Sequence, residues 1–160
     1  MTEIKKDIQK ALPFKNKVGF TGLPNEIFDI YVSHPKFTGN CVLVYMYLLH
    51  RYNEEQGYAW PTQDQIADAT FLSRRQVIRI ISVLESVGLI RTLYNADYGN
   101  NAYVPLKPIS SRDVFEATFP EAIENRAKFE AARVTDKEPR RKRQTDFRET
   151  LAQLRAQSQK

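Results

Sequence analysis

Two Ser/Thr-x-x-Gln boxes, eleven residues apart, constrain this chain more than any other feature in it. In "PTQDQIADATFLSRRQVIRIISVLESVGLI", residues 61–90, Thr62 is followed three positions later by Gln65, and Ser73 by Gln76. A hydroxyl at the N-cap accepts from the third amide of the helix, and the glutamine reaches back to the cap's own amide. Each box therefore marks a helix start. Pro61 precedes the first box, and "FLS" leaves only a tight connection before the second. Gly88 stands where the second helix should end, because a left-handed residue closes helices cheaply only when it is glycine. The chain is thus committed locally to a short helix, a sharp turn and a longer helix.

The longer helix sorts its side chains. At about 100° per residue, Val77, Ile80, Ile81, Leu84 and Val87 share one arc. Arg75, Arg79, Ser82 and Ser86 lie opposite, with Arg74 and Ile78 on the flank and Gln76 assigned to the cap. Both outer-face arginines occupy the first half, near the positive end of the helix. The dipole disfavours cations there, so stability alone does not place them. A charged outer face by itself is ordinary solvated surface. Here it comes after a short capped helix and before two β-rich runs, "LIRTLYN" and "AYVPL", joined by the turn-forming "ADYGN". A helix whose N-terminal half is basic and exposed, packed by its other face on a supporting helix, can enter the DNA major groove.

The flanks extend this core. "TGNCVLVYMYLLHRYNEEQG" reads as a helix capped by Thr38 or Asn40, with Val42, Val44, Tyr45, Leu48, Leu49 and Tyr52 on its apolar face and Gly57 at its end. Upstream, "VGFTGLPNEIFDIYV" reads as an extended piece, a turn and one helical turn carrying Ile27, Phe28 and Tyr31. Downstream, Ser111 caps "RDVFEAT", and Pro120 opens "PEAIENRAKFEAAR". The expected architecture is mainly α with a small β-hairpin. Its parts are an N-terminal arm (1–17), a DNA-binding domain (18–107), a helical extension (108–133), and a basic linker with an amphipathic helix (134–160).

Charge supports a polyanionic partner without identifying one. The net charge is +5. Residues 1–110 hold 12 Lys/Arg against 10 Asp/Glu, and residues 111–160 hold 12 against 9. The folded region is nearly balanced, so its affinity for nucleic acid must come from local patches. Arg140, Arg141, Lys142 and Arg143 form a flexible arm suited to phosphates. Phe147, Leu151 and Leu154 follow at i, i+4, i+7, the spacing of a helix that docks on a protein partner.

Other chemistry is not indicated. Cys41 is the sole cysteine, so no intrachain disulfide forms, and a small buried thiol is the expectation. His34 and His50 show no paired-ligand spacing, and the Asp64/Asp68 pair reads as solvated helix charge. The aromatic residues, Trp60 among them, read as packing rather than as a stacking platform. No phosphate loop or nucleophile elbow is present, so the chain is expected to be no enzyme, with no metal and no cofactor. The longest apolar run, Cys41–Leu49, is too short to cross a bilayer. No secretory leader is visible, and the expected location is the cytoplasm.

The segment 61–90 resembles the winged helix-turn-helix of bacterial regulators and initiators, through Pro61-Thr62, Ile66-Ala67, Ser73, Val77, Arg79, Leu84-Glu85 and Gly88-Leu89-Ile90. With "GLPNEIFD" and "FTGNCVLVYMYLLHRY" upstream, it is similar to the N-terminal domain of plasmid and phage replication initiators and DnaD-type proteins over residues 18–107. The resemblance implies sequence-specific binding to double-stranded DNA, by a homodimer or by repeated protomers. Arg74 and Arg75 would lie nearest the bases, Ile78 would meet a thymine methyl, and Arg79 and Ser82 would sit one turn on. Thr62 and Gln63 would hold phosphate through backbone amides. The wing would supply Arg91, Tyr98, Asn100 and Asn101. Relatives of the GntR type often carry basic residues where this chain has Asp64 and Ile78. The competing reading is an adaptor, whose winged helix and last helix recruit another protein.

Overall fold

A computed structural model describes residues 12–135 and 147–157. Among these, seven α-helices and two strands follow in order: α1 (Glu26–Asp29), α2 (Gly39–His50), α3 (Gln63–Thr70), α4 (Arg74–Ser86), β1 (Ile90–Asn95), β2 (Asn100–Pro105), α5 (Arg112–Thr118), α6 (Glu121–Thr135) and α7 (Phe147–Gln157). A 3-10 turn, Tyr31–Ser33, follows α1. The chain forms two compact units. Residues 40–106 and the segment up to Pro24 make the first, and residues 25–39 and those from Lys107 onward make the second.

In the first unit both boxes close as their spacing requires. Gln65 N–H donates to Thr62 Oγ1 at 3.1 Å and Thr62 N–H to Gln65 Oε1 at 2.9 Å. Gln76 N–H donates to Ser73 Oγ at 3.2 Å and Ser73 N–H to Gln76 Oε1 at 2.9 Å. The two helices also end alike. Leu89 N–H reaches back to the Leu84 carbonyl and Gly88 N–H to that of Glu85, both at 3.0 Å, with Gly88 left-handed at φ +74°. This double bond satisfies carbonyls that a helix end would otherwise leave open. At the end of α3 the left-handed position is filled by Phe71, φ +55°, whose ring is 95% exposed.

The apolar arc of α4 is buried as the periodicity predicts: Val77, Ile80, Ile81 and Leu84 all lie inside, as do Ile66 and Thr70 of α3, which packs on α4. Thr70 would be a buried hydroxyl at a loss, but its Oγ1 donates to the Ile66 carbonyl at 2.7 Å. On α2, Cys41, Val44, Tyr45 and Leu48 are buried at helical spacing. That helix starts at Gly39, which leaves Thr38 at the capping position, and it stops at His50 rather than running on to Gly57. The polar "YNEEQG" carries no apolar register to hold a helix down. Asn53 Oδ1 accepts from Gln56 N–H at 2.9 Å, a local bond that competes with the helix. Gly57, φ +78°, serves a tight turn in which its N–H donates to the Asn53 carbonyl at 2.8 Å.

The strands pair antiparallel, from Ile90 opposite Pro105 to Asn95 opposite Asn100. Asn95 organises the turn between them: its carbonyl accepts from Gly99 N–H and its side-chain oxygen from Asp97 N–H. On its other edge β2 is bridged by Ala59. Tyr103 N–H donates to the Ala59 carbonyl at 2.7 Å and Ala59 N–H to that of Tyr103 at 2.9 Å.

In the second unit Tyr31 is fully buried, its ring 4.7 Å from that of Phe115 and 6.0 Å from that of Phe37. Its hydroxyl accepts from Ile109 N–H at 2.9 Å. Burial raises the Tyr31 phenol pKa, and that hydrogen bond lowers it in part. His34 is buried edge-on against Phe119, and its Nε2 lies 3.1 Å from Glu121 Oε1. Asn125 Nδ2 donates to the Ser33 carbonyl at 2.9 Å. Ser111 Oγ accepts from Val114 N–H at the start of α5, as expected of a cap. Residues 25–39 therefore pack with α5 and α6, although the sequence division at 18 and 107 groups them with the boxed helices. On α7, Leu151 is half-buried and Leu154 is exposed. Residues 1–11 of the expected arm and the run Arg140 to Arg143 lie outside the described residues, as does the Phe147 side chain.

Candidate nucleic-acid interface

The outer face of α4 is open. Arg75, Arg79 and Ser82 are exposed, and Ile78 is 47% exposed on the flank. Among the described residues neither Arg75 nor Arg79 has an ion-pair partner, so both guanidiniums keep their donors for a ligand. The buried arc behind them fixes the direction in which they point.

Arg74 behaves differently. Its Nε donates to Gln63 Oε1 at 3.3 Å and lies 3.6 Å from Asp64 Oδ1. Both carboxylate and guanidinium are well exposed, so the pair is worth little in stability. It does settle charge. Asp64 neutralises Arg74, and the free positive charge of this face belongs to Arg75 and Arg79. A helical wheel of α4 alone could not reveal this, because the partner sits on α3.

Several of the residues named from sequence meet in one cleft of about 230 Å³: Thr62, Gln63, Arg74, Asn100 and Asn101. The start of α3, the start of α4 and the hairpin therefore converge. Tyr94 and Tyr103, which the sequence reads as packing residues, line it too. Tyr103 is fully buried, and among the described residues its hydroxyl has no partner within hydrogen-bond geometry. Burial raises its pKa, and the Asn101 side chain opposes that shift. At the start of α3 the box already uses the Thr62 amide, which donates to Gln65. The open donors at that end are the next amides, of Gln63 and Asp64, which have no partner inside a helix.

The other wing residues separate. Arg91 is exposed at the foot of the hairpin, opposite Val104 and away from the tip. Tyr98 is at the tip, 81% exposed, and lines a different cleft together with Trp60. The described residues include no group of His, Cys, Asp and Glu that could hold a metal ion. None of their helices is long and apolar enough to cross a membrane.

Two short helices meeting at a tight turn, an exposed basic face on the second and a hairpin after it now stand together. Residues 38–90, a third of the chain, match the family described as a helix-turn-helix domain. The fold is a winged helix-turn-helix. Folds of this kind are used to dock a helix in the DNA major groove. Solved structures resemble the chain at low identity. One is MepR, a transcription regulator of the Staphylococcus aureus multidrug efflux pump MepA, at 21% identity and a TM-score of 0.37, covering 81% of this chain and 84% of that one. A mutant of S. aureus MepR gives 20% identity and a TM-score of 0.40 over 81% and 83%. A second MepR mutant, from a multidrug-resistant S. aureus clinical isolate, gives 21% and 0.38 over 81% and 83%. No curated protein matches.

Proposed function

We propose that this chain binds duplex DNA sequence-specifically through the outer face of α4, in transcription regulation or replication initiation of a plasmid, phage or similar element. The observation that carries the proposal is the exposed pair Arg75 and Arg79, without an ion-pair partner among the described residues, on the helix that follows the tight turn. Arg75, in the first turn, is the reader: a guanidinium donates bidentately to guanine O6 and N7. Arg79 sits one turn on and meets a phosphate. Ile78 covers a thymine methyl, and Ser82 extends the same face. The Gln63 and Asp64 amides, Thr62 beside them, Asn100, Asn101 and Arg91 position the backbone, and Arg140 to Arg143 add phosphate contacts. Arg74 lies beside them with its charge offset by Asp64. The resemblance over residues 18–107 supports the replication role. The same role places the protein in the cytoplasm, with Phe147, Leu151 and Leu154 meeting a second copy or another protein.

A footprint on DNA flanking the gene, repeated across a salt series, tests this. The expected result is protection of repeats one helical turn apart, with affinity falling steeply as salt rises. Association that barely responds to salt and protects no DNA would favour the adaptor reading.

A further inference from the structure

A second cleft of the first unit lies away from the α4 face. It measures about 440 Å³ and lies where the Asn53–Tyr58 turn meets the hairpin. Its origin is the Ala59 bridge. Successive residues of an extended segment point to opposite sides. With Ala59 turned inward and fully buried, Tyr58 and Trp60 emerge on the other side, where Asn100 and Ala102 of β2 also face. Tyr58 and Trp60 stand edge to face, ring centroids 5.5 Å apart. Tyr98 closes the cleft from the hairpin tip. These rings are not core: Trp60 is 45% and Tyr98 81% exposed.

The rest of the lining is amide. Asn53 and Asn95 each spend the side-chain oxygen on their own turn, accepting from Gln56 N–H and Asp97 N–H, which leaves their NH₂ groups. Asn100 does the reverse. Its Nδ2 donates to the Trp60 carbonyl at 3.2 Å, which leaves its oxygen as acceptor. Gln56 offers both senses. Among the described residues no Asp, Glu, Lys or Arg lines the cleft.

We propose that this cleft is a binding site for a nucleobase, stacked on the exposed Trp60 and Tyr98 rings, with Tyr58 edge-on to Trp60, and read at its edges by the Asn53, Gln56, Asn95 and Asn100 side chains. The ligand must be planar to use exposed rings, since stacking is what such a platform rewards. It must be uncharged in the ring, since nothing in the lining compensates a charge. It must carry both donors and acceptors at its edges, since the amides present both. The volume falls within the range of small-molecule sites. A nucleobase meets all these conditions, either in a free nucleoside or unstacked in a single strand. The site shares Asn100 with the cleft beside the start of α4 but includes no residue of that helix, and it does not rest on the duplex-binding proposal.

Trp60 is the only tryptophan, so its emission reports the cleft alone. The full-length protein is titrated separately with adenosine, guanosine, cytidine and thymidine, and with short oligo-dA and oligo-dT strands. Saturable quenching by at least one probe is expected. Quenching by nucleosides identifies a free ligand; quenching by strands only identifies an unpaired base in DNA. Tyr98→Ala removes an exposed ring and Gln56→Ala an exposed amide, so both variants should keep the wild-type thermal midpoint. Tyr98→Ala should bind about five- to a hundred-fold more weakly, the range that loss of one stacking partner gives. Arg75→Ala should quench as wild type does. No saturable quenching by any probe would overturn the proposal. So would wild-type affinity in both cleft variants, or loss of the signal in Arg75→Ala.

Discussion

Asp64 and Glu121 are carboxylates with opposite parts in this molecule. Asp64 is well exposed and holds Arg74, so it subtracts charge from the surface proposed to face DNA. Glu121, at the start of α6, takes its own backbone amide and His34 as partners. Its own backbone N–H is the larger of the causes that hold its carboxyl below the usual glutamate range, with His34 next and desolvation opposing. The sign of the linkage follows. A folded-state pKa below the unfolded one adds stability at pH above the ordinary glutamate value, and that stability is lost as pH falls through the depressed one. Thermal midpoints of wild type and Glu121→Gln should therefore differ near neutral pH, wild type higher, and converge in acid. A gap that persists unchanged at low pH would mean that the charge of Glu121 is not what stabilises α6. His34 and Glu121 are far apart in sequence, and nothing local announces their contact. Thr62 with Gln65 was readable because both partners of a capping box lie within four residues.

At the level of elements, the same distance rule separates what could be read from what could not. The starts of α3, α4 and α5 and the end of α4 were legible, since caps and glycine signals act within a turn. The buried face of α4 was legible through its period. The end of α2 was not: charged residues such as Glu54 and Glu55 are good helix formers, and only the bridge between Asn53 and Tyr58 shows that the chain has turned. Nor was the aromatic cleft, because Trp60 and Tyr98 meet only through the Ala59 bridge to β2. Phe71 is the element-scale oddity. It closes α3 in a left-handed conformation with its ring almost wholly exposed. A non-glycine residue there costs roughly 1–2 kcal/mol, offset in part by the chain entropy that glycine would lose. Phe71→Gly should thus leave the fold intact and stabilise it by up to about 1 kcal/mol, measured by denaturant unfolding. A destabilisation of similar size would show that the Phe71 ring makes contacts that matter.

At the scale of the whole molecule, the boundary of the DNA-binding unit is the main departure from the sequence reading. Residues 25–39 read as its first part, yet Tyr31 stacks on Phe115 and Ser33 is held by Asn125. A chain ending after Pro108 loses those partners. Hydrogen exchange on it should show protection retained in α3 and α4 and lost across residues 25–39. Equal loss in both would mean that the first unit needs the second in order to fold. Within the first unit, the proposed duplex reading rests on α4: a buried arc that aims it, a capping box that starts it, and two outer-face arginines with no ion-pair partner among the described residues. The most direct measurement is therefore the affinity of Arg75→Ala and Arg79→Ala for a footprinted site and for unrelated duplex, beside wild type. Arg75→Ala should lose about 1–3 kcal/mol on the specific site and relax preference at one base pair, while Arg79→Ala weakens both duplexes about equally. Wild-type binding by both folded variants would contradict the account, because a groove reader that uses these two guanidiniums could lose neither one and bind unchanged.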